Sequence, residues 1–129
     1  MLKILVVEDS RLSRRIIVDA LKDAGYDVMQ ATNGAEALES YHQDHPDCIV
    51  TDMLMPVMDG QEFLRRLRAI DADVPVIVLS ADIQKSTRSF CEELGISAFL
   101  NKPVDSQELL DSVEAALVHL SGVTNNDVS

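Results

Sequence analysis

The sequence predicts an α/β fold, a doubly wound parallel sheet of five strands with helices on both faces. Three observations support it. The length of 129 residues suits a single domain. Short apolar runs, as expected of strands buried on both faces, alternate with segments whose apolar residues recur at helical spacing. Such a strand-helix alternation with short connections favours parallel strands joined by right-handed crossovers.

The strands are predicted from the apolar runs. Four runs are mostly continuous, and a fifth is weaker because polar residues interrupt it. In chain order they are Leu2–Val7, the weaker Tyr26–Ala31, Cys48–Val50, Val74–Leu79 and Ala98–Leu100. Each run is far shorter than the roughly 20 apolar residues that cross a membrane. We therefore expect strands and no membrane insertion.

The helices are predicted from periodicity and from their boundary residues. Apolar residues recur every three or four positions in 12–21 and 109–120, whereas 83–94 has only a thin apolar face. Two pairs of residues are typical of helix starts, and two glycines stand where helices should end. These are Asn33 with Glu36, Asp105 with Glu108, Gly25 and Gly95.

Composition excludes several classes of function. Twenty-two acidic and eleven basic residues give a net charge of −11, which disfavours direct nucleic-acid binding. Cys48 and Cys91 have neither metal-type spacing nor a disulfide-rich context, so we expect buried free thiols. The first apolar run is too short for an export signal, which predicts a cytoplasmic protein. The arginines of 14–15 and 65–68 are interpreted as solvated faces.

The chain is divided into one domain, residues 1–121, and a flexible polar tail, residues 122–129. The tail is predicted because the last residues are polar and include Gly122, Asn125 and Asn126. With no further domain in the sequence, we expect partners to be other proteins.

Polar residues follow four of the predicted strands. In a parallel sheet, ligands bind beyond the carboxyl ends of the strands, so these residues should converge on one pocket. They are Glu8 and Asp9 after the first strand, Asp52 after the third, Ser80 after the fourth, and Lys102 with Pro103 after the fifth. Carboxylates gathered there repel each other, by on the order of 4 kcal/mol for two unit charges at 4 Å and an effective dielectric of 20. Mg²⁺, which binds oxygen ligands and bridges carboxylates to phosphates, would offset this repulsion.

A plainer interpretation exists for each residue alone. Glu8 and Asp9 could begin a helix, favoured by its dipole, and Asp52 could be one more loop acid. The conjunction of five such residues at strand ends favours a functional pocket over this interpretation.

The pocket resembles that of the receiver domain of two-component response regulators. Four motifs carry the resemblance across nearly the whole chain, in the expected order: ILVVEDS at 4–10, TDMLMPVMDG at 51–60, VLSAD at 78–82 and FLNKPV at 99–104. Chemotaxis-type single-domain receivers are the members that the chain most resembles. The resemblance implies a flavodoxin-like (βα)5 fold with strand order 2-1-3-4-5.

The resemblance also implies a role for each matching residue. Asp52 would be the phosphoacceptor, and Glu8 and Asp9 would bind Mg²⁺ together with Asp52 and the backbone carbonyl of Leu54. Ser80 would donate its hydroxyl to a phosphoryl oxygen. Lys102 would pair with the phosphate, and a cis bond to its following proline would fix the loop.

A switch is implied as well. Ser80 would move towards the phosphate, and Phe99 would fill the space that it vacates. The surface of the fourth helix, fifth strand and fifth helix would then engage a downstream protein. Phe99 replaces a common tyrosine and Ser80 a common threonine, while Leu54 and Asp82 stand where the family tunes phosphate lifetime.

The implied function is a signalling switch in two-component signal transduction, with chemotaxis as the candidate pathway. A histidine kinase or phosphotransfer protein would supply the phosphoryl group, and a phosphatase is a further candidate partner. The chain would be a phosphoacceptor and no enzyme acting on a foreign substrate. A stand-alone phosphorelay intermediate and a phosphorylation-independent adaptor are the alternatives. An aspartyl phosphatase is disfavoured because it would want a second aspartate at Leu54.

Overall fold

Strands and helices alternate along the chain. The computed structural model describes residues 1–53, 55, 57–81 and 85–128, with side chains as far as residue 118. Five strands and five helices occur among these residues. In order they are β1 (Lys3–Val7), α1 (Arg11–Asp23), β2 (Asp27–Ala31), α2 (Gly34–Gln43), β3 (Cys48–Asp52), α3 (Gly60–Ile70), β4 (Val76–Ser80), α4 (Lys85–Glu93), β5 (Ala98–Asn101) and α5 (Ser106–Val128).

The strands form one parallel sheet in the order β2-β1-β3-β4-β5, which confirms the predicted fold class and topology. Residues that alternate along each central strand point to opposite faces. Ile4 and Val6 pack into a core beneath α1 and α5, whereas Leu5 and Val7 pack into a second core beneath α2 and α3. Because all five strands are parallel, their carboxyl ends lie at one edge of the sheet.

Local signals in the sequence position several helix boundaries as predicted. Asn33 caps α2 by accepting a hydrogen bond from the N–H of Glu36, 2.9 Å away. The Glu36 carboxylate returns to Thr32, one residue earlier than in the usual capping box, and accepts from both its N–H and its hydroxyl. Gly25 and Gly95 follow α1 and α4 with φ of 96° and 77°, as expected of glycines that end helices.

Two other predictions concern buried thiols and the tail. Cys48 and Cys91 are free and buried, as predicted. The backbone of α5 continues as far as Val128, through most of the segment 122–129. The proposed boundary at residue 121 is thus not the end of the helix, and flexibility of the segment stays a prediction. In the described part of the chain, no helix combines the length and apolar character needed to cross a membrane.

Candidate functional site

Three carboxylates lie together at the carboxyl edge of the sheet. Glu8 and Asp9 follow β1, and Asp52 is the last residue of the adjacent strand β3. One oxygen from each of these side chains lies within 4.8 Å of the other two. Glu8 and Asp52 are buried, with 1% and 6% of their surface exposed, whereas Asp9 is exposed. Because α1 begins at Arg11, with Ser10 as its cap, the acid pair lies before the helix.

Lys102 is the cation of this cluster. Its ammonium nitrogen lies 2.6 Å from Oε1 of Glu8 and 3.2 Å from Oδ2 of Asp52. Its backbone N–H donates to the carbonyl of Ser80 at 2.9 Å, which ties the loop after β5 to the end of β4. The Lys102–Pro103 peptide bond is cis, as the resemblance implies. Among the described residues, Lys102 is the cation that pairs with this cluster, and it pairs with Glu8 and Asp52 but not with Asp9, so the cluster is short of positive charge.

The pKa shifts within the cluster reflect burial and the contacts between Lys102 and the two buried acids. Burial raises the pKa of Glu8, although hydrogen bonds from Lys102 and from the N–H of Ser10 oppose that effect. Burial alone would lower the pKa of Lys102, but its hydrogen bond to Glu8 and the charge of Asp52 outweigh burial and raise it. The shared ammonium is thus held firmly in its charged form, whereas the buried carboxylate is incompletely compensated.

Backbone contacts fix the surroundings of Asp52. Its Oδ1 accepts a hydrogen bond from the N–H of Met53 at 2.8 Å, and its Oδ2 lies on the side of Lys102. The carbonyl of Met53 accepts from the N–H of Gly60 at 2.9 Å. A Cβ at Gly60 would lie 2.3 Å from the carbonyl oxygen of Asp52. Only glycine therefore lets α3 begin so close to the end of β3.

The loop between β3 and α3 is also tied to α2. The N–H of Gly34 donates to the carbonyl of Met58 at 2.9 Å, and a Cβ on Gly34 would lie 2.8 Å from that oxygen. Beside Met58, the exposed Val57 has a φ of 67°, in the left-handed region that β-branched residues rarely adopt. Such strain, on the order of 1–3 kcal/mol, persists only where the surrounding structure imposes it. The two glycine contacts provide that constraint.

Ser80 and Phe99 lie on the neighbouring strands. Ser80 is fully buried at the end of β4 and pairs with Asn101 of β5. Phe99 is half-buried and packs against the second core, to which Cys91 of α4 also belongs. The guanidinium carbon of Arg88, on α4, lies 5.6 Å from the centroid of the Phe99 ring, within the range of a cation–π contact. The aromatic ring is thus in contact with the fourth helix.

Two arginines that the sequence analysis assigned to solvated faces bind backbone carbonyls instead, so that interpretation was wrong for them. Arg68 of α3 donates to the carbonyls of Leu94 and Gly95, just after α4, at 2.7 and 3.0 Å. Arg14 of α1 donates to the carbonyl of Glu8 at 2.9 Å. Tertiary packing brings the two carbonyls after α4 to Arg68, and the β1–α1 turn brings the carbonyl of Glu8 to Arg14; residue spacing reveals neither contact. The other arginines of the two groups are exposed.

Two positions of interest lie outside the described residues. They are Leu54, whose carbonyl the resemblance assigns to the metal, and Asp82. Sequence reasoning also missed Gly34 and Gly60 as parts of the site. The repeated placement of glycine at the first position of a helix was the available signal, but its cause is a contact with another segment.

Cavity size alone would have pointed elsewhere. A cavity of about 550 Å³ lies at the opposite edge of the sheet, between the amino ends of β4 and β5 and the helix α5. Its lining includes small residues such as Gly95, Ser112 and Ala116, and among the described residues that line it Asp73 is the one acidic residue. The acid cluster at the carboxyl edge instead gathers charged groups, and charged groups are what chemistry at a phosphate requires.

The donor set fits a hard divalent cation. Glu8, Asp9 and Asp52 offer carboxylate oxygens only, the ligands that Mg²⁺ prefers, and Asp9 is open to solvent. Mg²⁺ usually keeps several waters and uses few protein carboxylates, which suits a cluster in which one of the three acids is exposed. A divalent cation would also supply the positive charge that Lys102 alone does not.

Sequence comparisons give consistent relatives. The profile of the response regulator receiver domain matches residues 4–114. Response regulator MprA of Mycobacterium leprae is 39% identical over 116 residues, which cover 90% of this chain and 51% of that protein. The probable transcriptional regulator ycf27 of Porphyridium aerugineum is 36% identical over 97% of this chain and 52% of its own length. The chain thus spans about half the length of these curated relatives.

Solved structures agree in fold over the whole domain. The chemotaxis response regulator CheY4 of Vibrio cholerae superposes with a TM-score of 0.84 at 32% identity, covering 91% of this chain and 99% of that one. The CheX-CheY-BeF3-Mg²⁺ complex from Borrelia burgdorferi gives a TM-score of 0.85 at 28% identity, covering 91% and 90%.

Proposed function

We propose that this chain, which belongs to the response regulator receiver family of two-component systems, accepts a phosphoryl group on Asp52. One observation carries the proposal. The buried Asp52 carboxylate ends its strand within 4.8 Å of two further acids and beside a lysine that lies 3.2 Å away. A nucleophile with a cation at hand, in a pocket made by strand ends, suits phosphoryl transfer.

The two oxygens of Asp52 differ in their surroundings. Oδ1 accepts the N–H of Met53, whereas Oδ2 lies on the Lys102 side. We expect Oδ2 to attack phosphorus in line. The new O–P bond forms as the P–N bond of a phosphohistidine, or the P–O bond of a small acyl phosphate, breaks. The product is an acyl phosphate on Asp52, and the donor's leaving group departs with the electron pair of the broken bond.

Lys102 would follow the charge during transfer. It already lies between Glu8 and Asp52, so a short shift of its ammonium group reaches an oxygen of the incoming phosphoryl group. Glu8, Asp9 and Asp52, with the carbonyl of Leu54, would hold Mg²⁺, which when bound neutralises charge on the transferring oxygens. The chain would be its own substrate rather than an enzyme for a foreign one, because the acceptor is its own side chain.

The phosphoryl group would act as a switch through Ser80 and Phe99. The Ser80 hydroxyl would donate to a phosphoryl oxygen, and the ring of Phe99 would then move inwards. The contact of this ring with Arg88 on α4 supports the idea that its position is coupled to the face formed by α4, β5 and α5. A downstream protein would bind that face.

The pathway is the least specified part of the proposal. The Vibrio cholerae relative is named for chemotaxis, whereas the curated relatives are response or transcriptional regulators about twice as long. We propose a histidine kinase or phosphotransfer protein as the donor, since receiver domains work with such partners. A phosphatase partner and a cytoplasmic location remain predictions. Genetic context would separate a role in chemotaxis from a role as a relay intermediate.

The test is intact mass after incubation with Mg²⁺ and acetyl phosphate. Wild type should gain about 80 Da, one phosphoryl group, in a base-labile adduct. Asp52→Asn should gain nothing, because its amide is no nucleophile. Asp44→Asn, which removes an exposed acid near the opposite edge of the sheet, is the matched control and should be modified like wild type.

Two results would contradict the proposal. One is an adduct of equal extent on Asp52→Asn. The other is the absence of any adduct on wild type with both acetyl phosphate and a phosphohistidine protein, while Mg²⁺ raises the melting temperature and so demonstrably binds. The second result would favour a phosphorylation-independent adaptor.

A further inference from the structure

Arg14 makes two polar contacts around the β1–α1 turn. It lies in the first turn of α1, and its side chain is half-buried. Its Nη1 donates to the carbonyl oxygen of Glu8 at 2.9 Å, and its Nε donates to Oε1 of Gln30, on β2, at 3.2 Å. One guanidinium fork therefore joins the end of β1 to the neighbouring strand.

The orientation of the Glu8 carbonyl affects the position of the acid cluster. Glu8 and Asp9 form the turn between β1 and α1, and both side chains contribute oxygens to the acid cluster. The N–H of Ser10 donates to Oε2 of Glu8 at 3.1 Å, so the turn is also tied through this side chain. Rotation of the Glu8–Asp9 peptide would displace the exposed Asp9 carboxylate from the other two acids. Arg14 opposes that rotation from outside the pocket.

We propose that Arg14 is a positioning residue for the divalent cation, holding the Glu8–Asp9 turn in the geometry that cation binding requires. This inference rests on the proposed function of the acid cluster. Arg14 contacts neither the cation nor the phosphoryl group in this account. It acts through the backbone of Glu8, as the outer hydrogen-bond partners of metal ligands commonly do.

The charge of Arg14 and its positioning role predict opposite changes in Mg²⁺ affinity when the residue is replaced. Arg14 carries a positive charge beside the Glu8–Asp9 turn, and a positive charge near the site repels Mg²⁺. Its removal would tighten Mg²⁺ binding if the charge were all that mattered. If Arg14 positions the turn, its removal weakens binding in spite of that gain. The sign of the change therefore separates the two roles.

The experiment measures Mg²⁺ affinity from the dependence of melting temperature on Mg²⁺ concentration, together with the melting temperature in EDTA. We expect Arg14→Gln to weaken binding roughly tenfold, the lower end of the range for outer-shell partners of a metal site. Arg14→Lys keeps the charge but loses the planar fork, so its affinity should fall between Arg14→Gln and wild type. Arg15→Gln is the matched control: it removes the same charge from the next residue, whose side chain is 80% exposed.

Arg15→Gln should bind Mg²⁺ as wild type does or slightly more tightly. Arg14→Gln with unchanged or tighter binding would overturn the inference, because charge alone would then explain the residue. An Arg14→Gln protein that does not fold leaves Arg14→Lys to decide, and wild-type affinity in that variant would also overturn it. Failure of the proposed function looks different: wild type itself would bind no Mg²⁺ and form no adduct, and the inference would then fall with it.

Discussion

The two edges of the sheet use acidic residues in opposite ways. At the amino edge, Asp71 accepts three hydrogen bonds, from the hydroxyl of Tyr41 at 2.6 Å and from the N–H groups of Asp73 and Val74 at 2.9 and 3.0 Å. Asp47 accepts from the N–H of Lys3 at 2.8 Å. These carboxylates fasten loops to the start of the strands. Their charge is used locally, and each has its own donors.

At the carboxyl edge, the acids are concentrated instead of distributed. Glu8 and Asp52 share one lysine, and oxygens of Glu8, Asp9 and Asp52 lie within 4.8 Å of one another. Like charges this close destabilise the fold, so the arrangement costs stability that the amino edge does not lose. The number of acids therefore does not distinguish the functional edge from the other. The functional edge is distinguished by acids that lie close together with too few hydrogen-bond donors and cations to balance them.

The largest expected effect is a difference in stability between variants of Lys102, at the carboxyl edge, and Lys3, at the amino edge. Lys102 and Lys3 have similar side-chain exposure, 21% and 24%, but the carboxylates of Glu8 and Asp52 are 1% and 8% exposed, whereas that of Asp44 is 57% exposed. Lys102→Met should lower the free energy of unfolding by about 3 kcal/mol without Mg²⁺, because it leaves buried carboxylates unpaired. Denaturant unfolding in EDTA measures this.

Lys3→Met is the control for that measurement and should cost much less, since water can solvate Asp44. Mg²⁺ should restore part of the stability of Lys102→Met and none of the stability lost in Lys3→Met. Equal losses at the two edges would contradict the contrast drawn between them.

The next largest effect is on the free energy of unfolding, which replacement of an aspartate by asparagine should raise at the carboxyl edge and lower at the amino edge. Asp52→Asn should stabilise the metal-free protein by about 1–2 kcal/mol, a part of the roughly 4 kcal/mol that two close charges cost, because it removes one charge from a crowded cluster. Asp71→Asn should destabilise it, because an amide oxygen is a weaker acceptor for the three donors around it. Thermal unfolding in EDTA, compared with wild type, measures both. A destabilised Asp52→Asn protein that binds Mg²⁺ tightly would refute the account of the cluster.

The smallest effect is a pH dependence at the amino edge. Burial acts to raise the pKa of Asp71, but the Tyr41 hydroxyl and the two N–H groups outweigh burial and hold it below its usual value. A lowered carboxyl pKa stabilises the fold above the ordinary value, and this stabilisation is lost as pH falls through the lowered one. Burial and the bond to Asp71 raise the pKa of Tyr41 to about 12. The stabilisation from the raised pKa of Tyr41 is present below about pH 10 and is lost as the pH rises towards 12.

Tyr41→Phe should therefore lower stability by about 1 kcal/mol at pH 7 and flatten the stability curve at both extremes. Chemical denaturation from pH 2 to pH 12 measures this. The double variant Tyr41→Phe with Asp71→Asn should show a coupling energy, since the two residues share a bond. Additive effects would show that the hydrogen bond contributes nothing of its own.

Much of the site was predictable because its members come directly after apolar runs. Glu8, Asp9, Asp52 and Lys102 converge as expected of carboxyl ends in a parallel sheet, although their chemical roles stay predictions until they are measured. Arg14 could not be assigned in this way. Its partners are a carbonyl six residues away and an amide on another strand, and arginines on a helix surface have no pattern that distinguishes a bound one from a solvated one.

Local patterns in the sequence specify the alternation of strands and helices, their order along the chain and the edge at which the acids meet. Periodicity and turn residues encode those features locally, so they can be predicted without knowledge of the packing. The close approaches arise only in the folded protein: Gly60 against the carbonyl of Asp52, Gly34 against Met58, and Arg68 against the carbonyls after α4. These contacts join residues from different elements, and packing fixes their distances only after the sheet and helices have come together.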